Sequence, residues 1–141
     1  MFEPLRFVQL GQELARDAAG LQAQAREARI RNAYGRLYYG LFLSVREVLL
    51  RRHRLPSRRI DHGKIYTHLQ NSRLANEARV LGREMQRLYN LRRTADYDLA
   101  PPPAVLKQLE DFENAQILAA RALAWVPRIP HLDLTPVVHL F

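Results

Sequence analysis

Ile30-Arg31-Asn32-Ala33-Tyr34-Gly35-Arg36-Leu37-Tyr38-Tyr39-Gly40-Leu41-Phe42-Leu43-Ser44-Val45-Arg46-Glu47-Val48-Leu49 is the stretch that decides the architecture. Ile30, Ala33, Tyr34, Leu37, Tyr38, Leu41, Val45, Val48 and Leu49 recur at the i, i+3, i+4, i+7 spacing of one helix face. Tyr39, Phe42 and Leu43 add apolar surface on a second face, so this helix is expected to be central and covered on two sides. The pattern begins near Gln22 and must end before the turn at Pro56.

Outward from this segment the chain reads as helix nearly throughout. Pro4 suits a first helical turn, and Leu5, Val8, Leu14, Ala15 and Ala18 keep helical spacing up to Gly20. Residues 55–61 read as a basic loop, with Asp61 placed to cap a short helix over His62–Leu69 that breaks near Asn71-Ser72. A fourth helix is expected over Leu74–Tyr97, with Ala78, Leu81, Met85, Leu88 and Ala95 in line. Arg92 falls in the same stripe, where an apolar residue is expected. Asp98 and Pro101-Pro102-Pro103 punctuate the chain. The last long helix is expected from Pro103, with Val105, Leu109, Phe112, Gln116, Ala119 and Leu123 on one side. Beyond it Pro127, Pro130 and Pro136 exclude a long helix, yet Leu132, Leu134, Val137, Val138, Leu140 and Phe141 make the tail apolar. No repeat, low-complexity tract or hairpin pattern interrupts this, so the fold class is all-α: a bundle of four or five helices. The expected organisation is one domain over residues 1–126 and a tail over 127–141 that packs on the bundle or on a partner.

With 141 residues and 48% apolar content the chain can close one core. Without cysteine, disulfides and thiolate metal sites are excluded, and no histidine–carboxylate cluster has metal spacing. No cofactor motif appears: no glycine-rich loop cradles phosphate and no nucleophile motif is present. The N-terminus lacks the apolar run of a signal peptide, and no stretch reaches the roughly 20 apolar residues of a membrane span. A soluble, cytoplasmic protein is therefore the expectation.

Net charge is +8, and only Lys64 and Lys107 among the 22 basic residues are lysine. Arginine forks onto phosphate and stacks on bases, so the bias suits nucleic acid. An arginine-rich proteome spreading the residue everywhere explains it equally well. Local density favours the first explanation, because Arg46, Arg51, Arg52, Arg54, Arg58 and Arg59 crowd one segment opposed only by Glu47.

Three segments carry a family resemblance. Ala33-Tyr34-Gly35-Arg36-Leu37-Tyr38-Tyr39-Gly40-Leu41-Phe42 resembles the RAYYAxF signature of HEPN proteins. His62-Gly63-Lys64-Ile65 is similar to the histidine-glycine start of that family's third helix. Leu91-Arg92-Arg93-Thr94-Ala95-Asp96-Tyr97 is similar to its RxxADY signature, with Arg92, Ala95, Asp96 and Tyr97 in place. Order and spacing agree over roughly residues 28 to 124. The resemblance implies an up-and-down helical bundle that dimerises through its long helices. It also implies a ribonuclease, toxin or RNA-directed defence component, in some cases paired with a minimal nucleotidyltransferase antitoxin. The family's active ribonucleases carry an arginine, four to six residues, then a histidine near the end of a late helix. Here no histidine occurs between Arg93 and His131, so the chain departs from that pattern. Arg46 and His53 have the spacing but lie in the wrong helix, and such a match arises by chance among this many arginines and histidines.

The third motif also has a chemistry of its own. RNA cleavage needs a base near the 2′-hydroxyl, an acid near the leaving oxygen and positive charge on the phosphorane. Arg92 can supply the charge, and Asp96, one turn along, can orient it or take a proton. Tyr97 suits hydrogen bonding to phosphate better than base work. These three are the catalytic candidates. The alternative is an Arg92–Asp96 ion pair that fixes packing, with Tyr97 covering the core. Arg36, Tyr39, Arg51, Arg52, Arg54 and Arg93 are the nucleic-acid-binding candidates. In the functional reading Arg36 meets Arg92, Asp96 and Tyr97 across a cleft; in the other, Arg36 and Tyr39 are core or dimer contacts. His62 reads as a helix-start residue. Two functions follow: an RNA-binding toxin–antitoxin or defence component capable of cleavage, or a non-catalytic module that binds a nucleotidyltransferase or another protein. In either case a homodimer is expected from the two-faced second helix.

Overall fold

The computed structural model describes residues 3–18, 20–52, 62–71, 76–101, 104, 107, 109 and 111–131, of which 23, 52, 62–64 and 129–131 are described by their backbone alone. Arg54, the basic loop with its Asp61 cap, and the apolar tail from 132 onward lie outside the described residues. The described residues form five longer helices: α1 (Leu5–Ala18), α2 (Ala23–Arg52), α3 (His62–Gln70), α4 (Asn76–Tyr97) and α5 (Phe112–Trp125). A 3-10 helix over Val126–His131 follows, and no strand occurs among the described residues. The helices pack as a bundle, as the periodicity requires.

α2 is the spine. Ala33, Tyr34, Leu37, Tyr38, Leu41, Phe42, Val45 and Leu49 are all buried, with Ile30 and Val48 half-buried at the margins of the stripe. Burying each large side chain in that row contributes about 1.5–3 kcal/mol, which is ample reason for 30 residues to stay one helix. One face meets α4, α5 and the 3-10 helix; the other is covered by α1 within the same chain. The α1–α2 approach is close because Gly40 has no side chain. A Cβ there would run into Val8 and come within 3.0 Å of the Val8 backbone nitrogen. α1 thus covers the side of α2 that carries Ala33, Leu37 and Gly40, while Tyr39 and Leu43 of the second apolar face stay half-buried. α1 keeps most of its expected stripe: Val8 and Ala18 are buried and Leu14 and Ala15 pack against the core, whereas Leu5 is exposed and Gly11 faces inward.

α3 begins at His62 and packs on α4 with Gly82 at the contact, where a Cβ would sit 2.7 Å from the Tyr66 carbonyl. Gln70 locks the pair, its side-chain amide donating to the Gly82 carbonyl and to Gln86 Oε1. The apolar stripe expected on α4 is the buried one: Ala78, Leu81, Met85, Leu88, Arg92 and Ala95 all face the core.

The last long helix is not continuous. Asp111 adopts φ −89°, ψ 65°, so α5 starts afresh at Phe112 after helical positions at 104, 107 and 109. After the break Phe112, Ala115, Leu118, Ala119 and Ala122 face inward, while Gln116 and Leu123, expected on that side, are only half-buried. Phe112 sets its ring edge-on against Tyr34 at 5.1 Å, tying the restart to α2. The boundary expected at residue 127 falls inside the 3-10 helix, which packs back on α2 and α5. Arg128 lies over Trp125 there, 4.6 Å from the ring centre.

Candidate functional site around Arg92

Arg92 is where the second and fourth helices meet, and its side chain is only 6% exposed. A guanidinium cannot be buried there without compensation. Its Nη1 donates to Asp96 Oδ2 at 3.1 Å, one turn along α4. The remaining surroundings are aromatic: the Tyr89, Tyr38 and Tyr39 ring centres lie 5.1, 5.5 and 5.6 Å from the guanidinium carbon. Three π faces therefore replace water around one cation. The Nε atom has no hydrogen-bond partner among the described residues.

The electrostatics follow from this enclosure. Burial works to lower the pKa of Arg92, but the Asp96 hydrogen bond, Tyr39, the Asp96 charge and Tyr38 outweigh it and hold the pKa above its ordinary value. Burial pushes the Tyr38 phenol well above its usual range, despite the pull of Arg92 in the other direction. Tyr38 thus stays neutral and cannot act as a base. The Arg92 side chain is a fixed cation rather than a proton carrier.

The motifs identified in the sequence converge here. Tyr38 and Tyr39 of the first flank Arg92 of the third, and a Cβ at Gly35 would lie 3.9 Å from the Asp96 carboxylate. Asp96 is the element of the pair that reaches solvent, with its side chain 34% exposed. Beside it Arg93 is exposed, its guanidinium 5.9 Å from the Tyr89 ring. Tyr97 does not cover the core: it is 73% exposed at the end of α4, and Leu99 just beyond is 87% exposed. Arg36 lies on the α1 side of α2, over the Phe7 ring at 5.4 Å, and makes no hydrogen bond or ion pair among the described residues. Arg51 is exposed and ion-paired to Glu47 at 2.7 Å. Arg52 is the last residue of α2, and its side chain, like Arg54 and His53, is outside the described residues.

Arg31 was not singled out by its sequence position, yet it carries the end of α4. Its Nη1 donates to the carbonyls of Thr94, Ala95 and Asp98 at 3.2, 3.0 and 2.7 Å, while Nη2 pairs with Glu27. The last carbonyls of a helix lack internal partners, so a cation there both satisfies and neutralises them. The only sequence signal is that Arg31 follows Ile30 at the edge of the stripe, which many surface arginines also do.

His68 is buried in the core, 1% exposed, at the α3–α4 contact. No group of three histidine or carboxylate side chains suited to a metal occurs among the described residues. No described helix is long and apolar enough to cross a membrane. Chemically, the site offers a caged cation, a half-exposed carboxylate and an exposed arginine and tyrosine beside it. No family model, curated protein or solved structure matches the chain.

Proposed function

We propose that the chain is an HEPN-like RNA-binding component of a toxin–antitoxin or defence system, in which Arg92 organises the site and exposed arginines contact phosphate. The observation that supports this reading is the convergence of the first and third motifs on one point, with Asp96 and Arg93 left facing solvent beside the caged Arg92. A guanidinium enclosed by three rings and paired to one carboxylate is poorly placed to move onto a phosphate. Binding is therefore better supported than cleavage, and the absence of a histidine between Arg93 and His131 points the same way. Arg93, with Arg36 and Arg51, is the phosphate-contacting group in this reading.

The test is binding to labelled single-stranded RNA across a salt series. Arg93→Ala should weaken binding and flatten the salt dependence by about 0.7 in the log–log slope, as for one lost phosphate contact. Binding that ignores salt, or no binding, would remove the RNA reading. The same incubation followed on a gel reports any cleavage.

One observation favours a second reading. Tyr97 and Leu99 stand out together at the end of α4, an aromatic and an aliphatic side chain exposed side by side. That pair suits a contact with a second copy or with a nucleotidyltransferase partner. Light scattering of Tyr97→Ser with Leu99→Ser against the parent would reveal a dimer made there.

A further inference from the structure

We propose that the groove between α4 and α5 is a phosphate-binding site that takes a terminal phosphomonoester, either the 5′-phosphate of an RNA chain or a small phosphate ester. The groove has a volume of about 720 Å³, within the usual range for ligand sites. Arg87 and Asn90 line the α4 wall, Asn114 and Arg121 the α5 wall, and Lys107 the end nearest the break at Asp111. Arg87, Arg121 and Lys107 have no carboxylate partner within 4 Å among the described residues. Three cations without a close ion-pair partner, set against Asp111 in the lining and Glu84 behind it, leave this concave surface an excess of positive charge, and two of them are guanidinium forks suited to phosphate oxygens.

The two carboxylates nearby offset only part of that charge. Asp111 lines the groove and accepts a hydrogen bond from Asn114 at 2.6 Å, which holds its carboxylate toward Asn114 without removing its charge. Glu84 is 8% exposed and interacts with Arg121, Arg87 and Arg83, but its Oε2 has no hydrogen-bond partner. Burial raises its pKa while Arg121, Arg87 and Arg83 pull it the other way, and no arginine of the groove comes within 4 Å of its carboxylate among the described residues. Asn90 and Asn114 supply amide donors beside the cations, and Ile117, half-exposed on the α5 side, offers apolar surface to the sugar or base behind a phosphate. Arg92 lies on a different face of α4, so this groove is separate from the caged arginine.

The inference rests on the RNA reading only for one of its two sources of phosphate, and the experiment separates them. Short RNAs identical except for a 5′-phosphate or a 5′-hydroxyl are titrated into the full chain, alongside inorganic phosphate and glycerol 3-phosphate. The variant is Arg87→Gln with Arg121→Gln at two exposed positions; because both arginines attract the buried Glu84, binding is read at a temperature where the variant's melting curve shows it folded. The phosphorylated RNA should bind at least about tenfold more tightly than its hydroxyl twin, and the variant should lose that preference. If neither RNA binds but the small phosphates do, and the variant abolishes it, the groove stands and the RNA reading falls. If the two RNAs bind alike and the small phosphates bind neither protein, or bind the variant as well as the parent, the groove proposal is overturned, whatever the RNA reading's fate.

Discussion

Replacing Arg92 with alanine separates two roles that its position in the sequence leaves open. The cost can be assembled from the cage. The ion pair to Asp96 is lost, but with its side chain 34% exposed that carboxylate can rehydrate, so this part amounts to about 1 kcal/mol rather than the full penalty of a stranded buried charge. The three rings lose their cation, about 1–2 kcal/mol in total because one guanidinium serves all of them. The buried stem leaves a cavity worth about 1–2 kcal/mol. Against these, removing a desolvated guanidinium whose Nε has no partner returns about 1 kcal/mol. Arg92→Ala should therefore destabilise by about 2–4 kcal/mol, a large share of a typical domain's stability. Arg92→Met, which refills the volume without charge, should cost about 1–2 kcal/mol. Urea unfolding followed by circular dichroism measures both, and an unchanged slope keeps the two comparable. An Arg92→Ala protein as stable as the parent but unable to bind RNA would refute the reasoning, because Arg92 would then serve a ligand rather than the fold.

Three more outcomes follow from the packing. Arg31→Ala removes three charge-assisted bonds to the end of α4 and should cost about 2–3 kcal/mol, read by unfolding and by faster amide exchange over 94–98; unchanged exchange would mean water replaces the cap at no cost. Glu84 has a pKa raised above 4.5 in the fold, so it contributes stability at low pH that is lost as pH rises through and above that value. Glu84→Gln should thus be about 1 kcal/mol more stable than the parent at pH 7 and equal to it near pH 4, and a less stable variant at pH 7 would show that attraction to Arg121, Arg87 and Arg83 outweighs burial. Gly40→Ala forces a methyl into Val8 and should lower the unfolding free energy by about 2 kcal/mol, while a neutral result would mean α1 shifts freely on α2.

The sequence determined what depends on local periodicity. A row of apolar residues from Ile30 to Leu49 can be buried along one side only if the chain is helical there, and the same holds for Ala78 to Ala95 on α4. The misfit of Arg92 in that row was legible for the same reason, as was the spacing that brings Asp96 one turn away. What only the tertiary structure decided concerns contacts between elements. Periodicity marks an apolar face but not what covers it, so only the structure shows that α1 packs on α2 along Gly40. Nor does it show that Arg31 reaches carbonyls more than 60 residues away or that Tyr97 turns outward. The restart at Asp111 is invisible for another reason: one residue's non-helical conformation leaves no mark on the spacing, since buried Leu109 and Phe112 keep a helical step across it, and Phe112 meets Tyr34 across the bundle. A side chain's neighbours along one helix are fixed by its pitch, whereas those on other helices depend on how close the backbones can come.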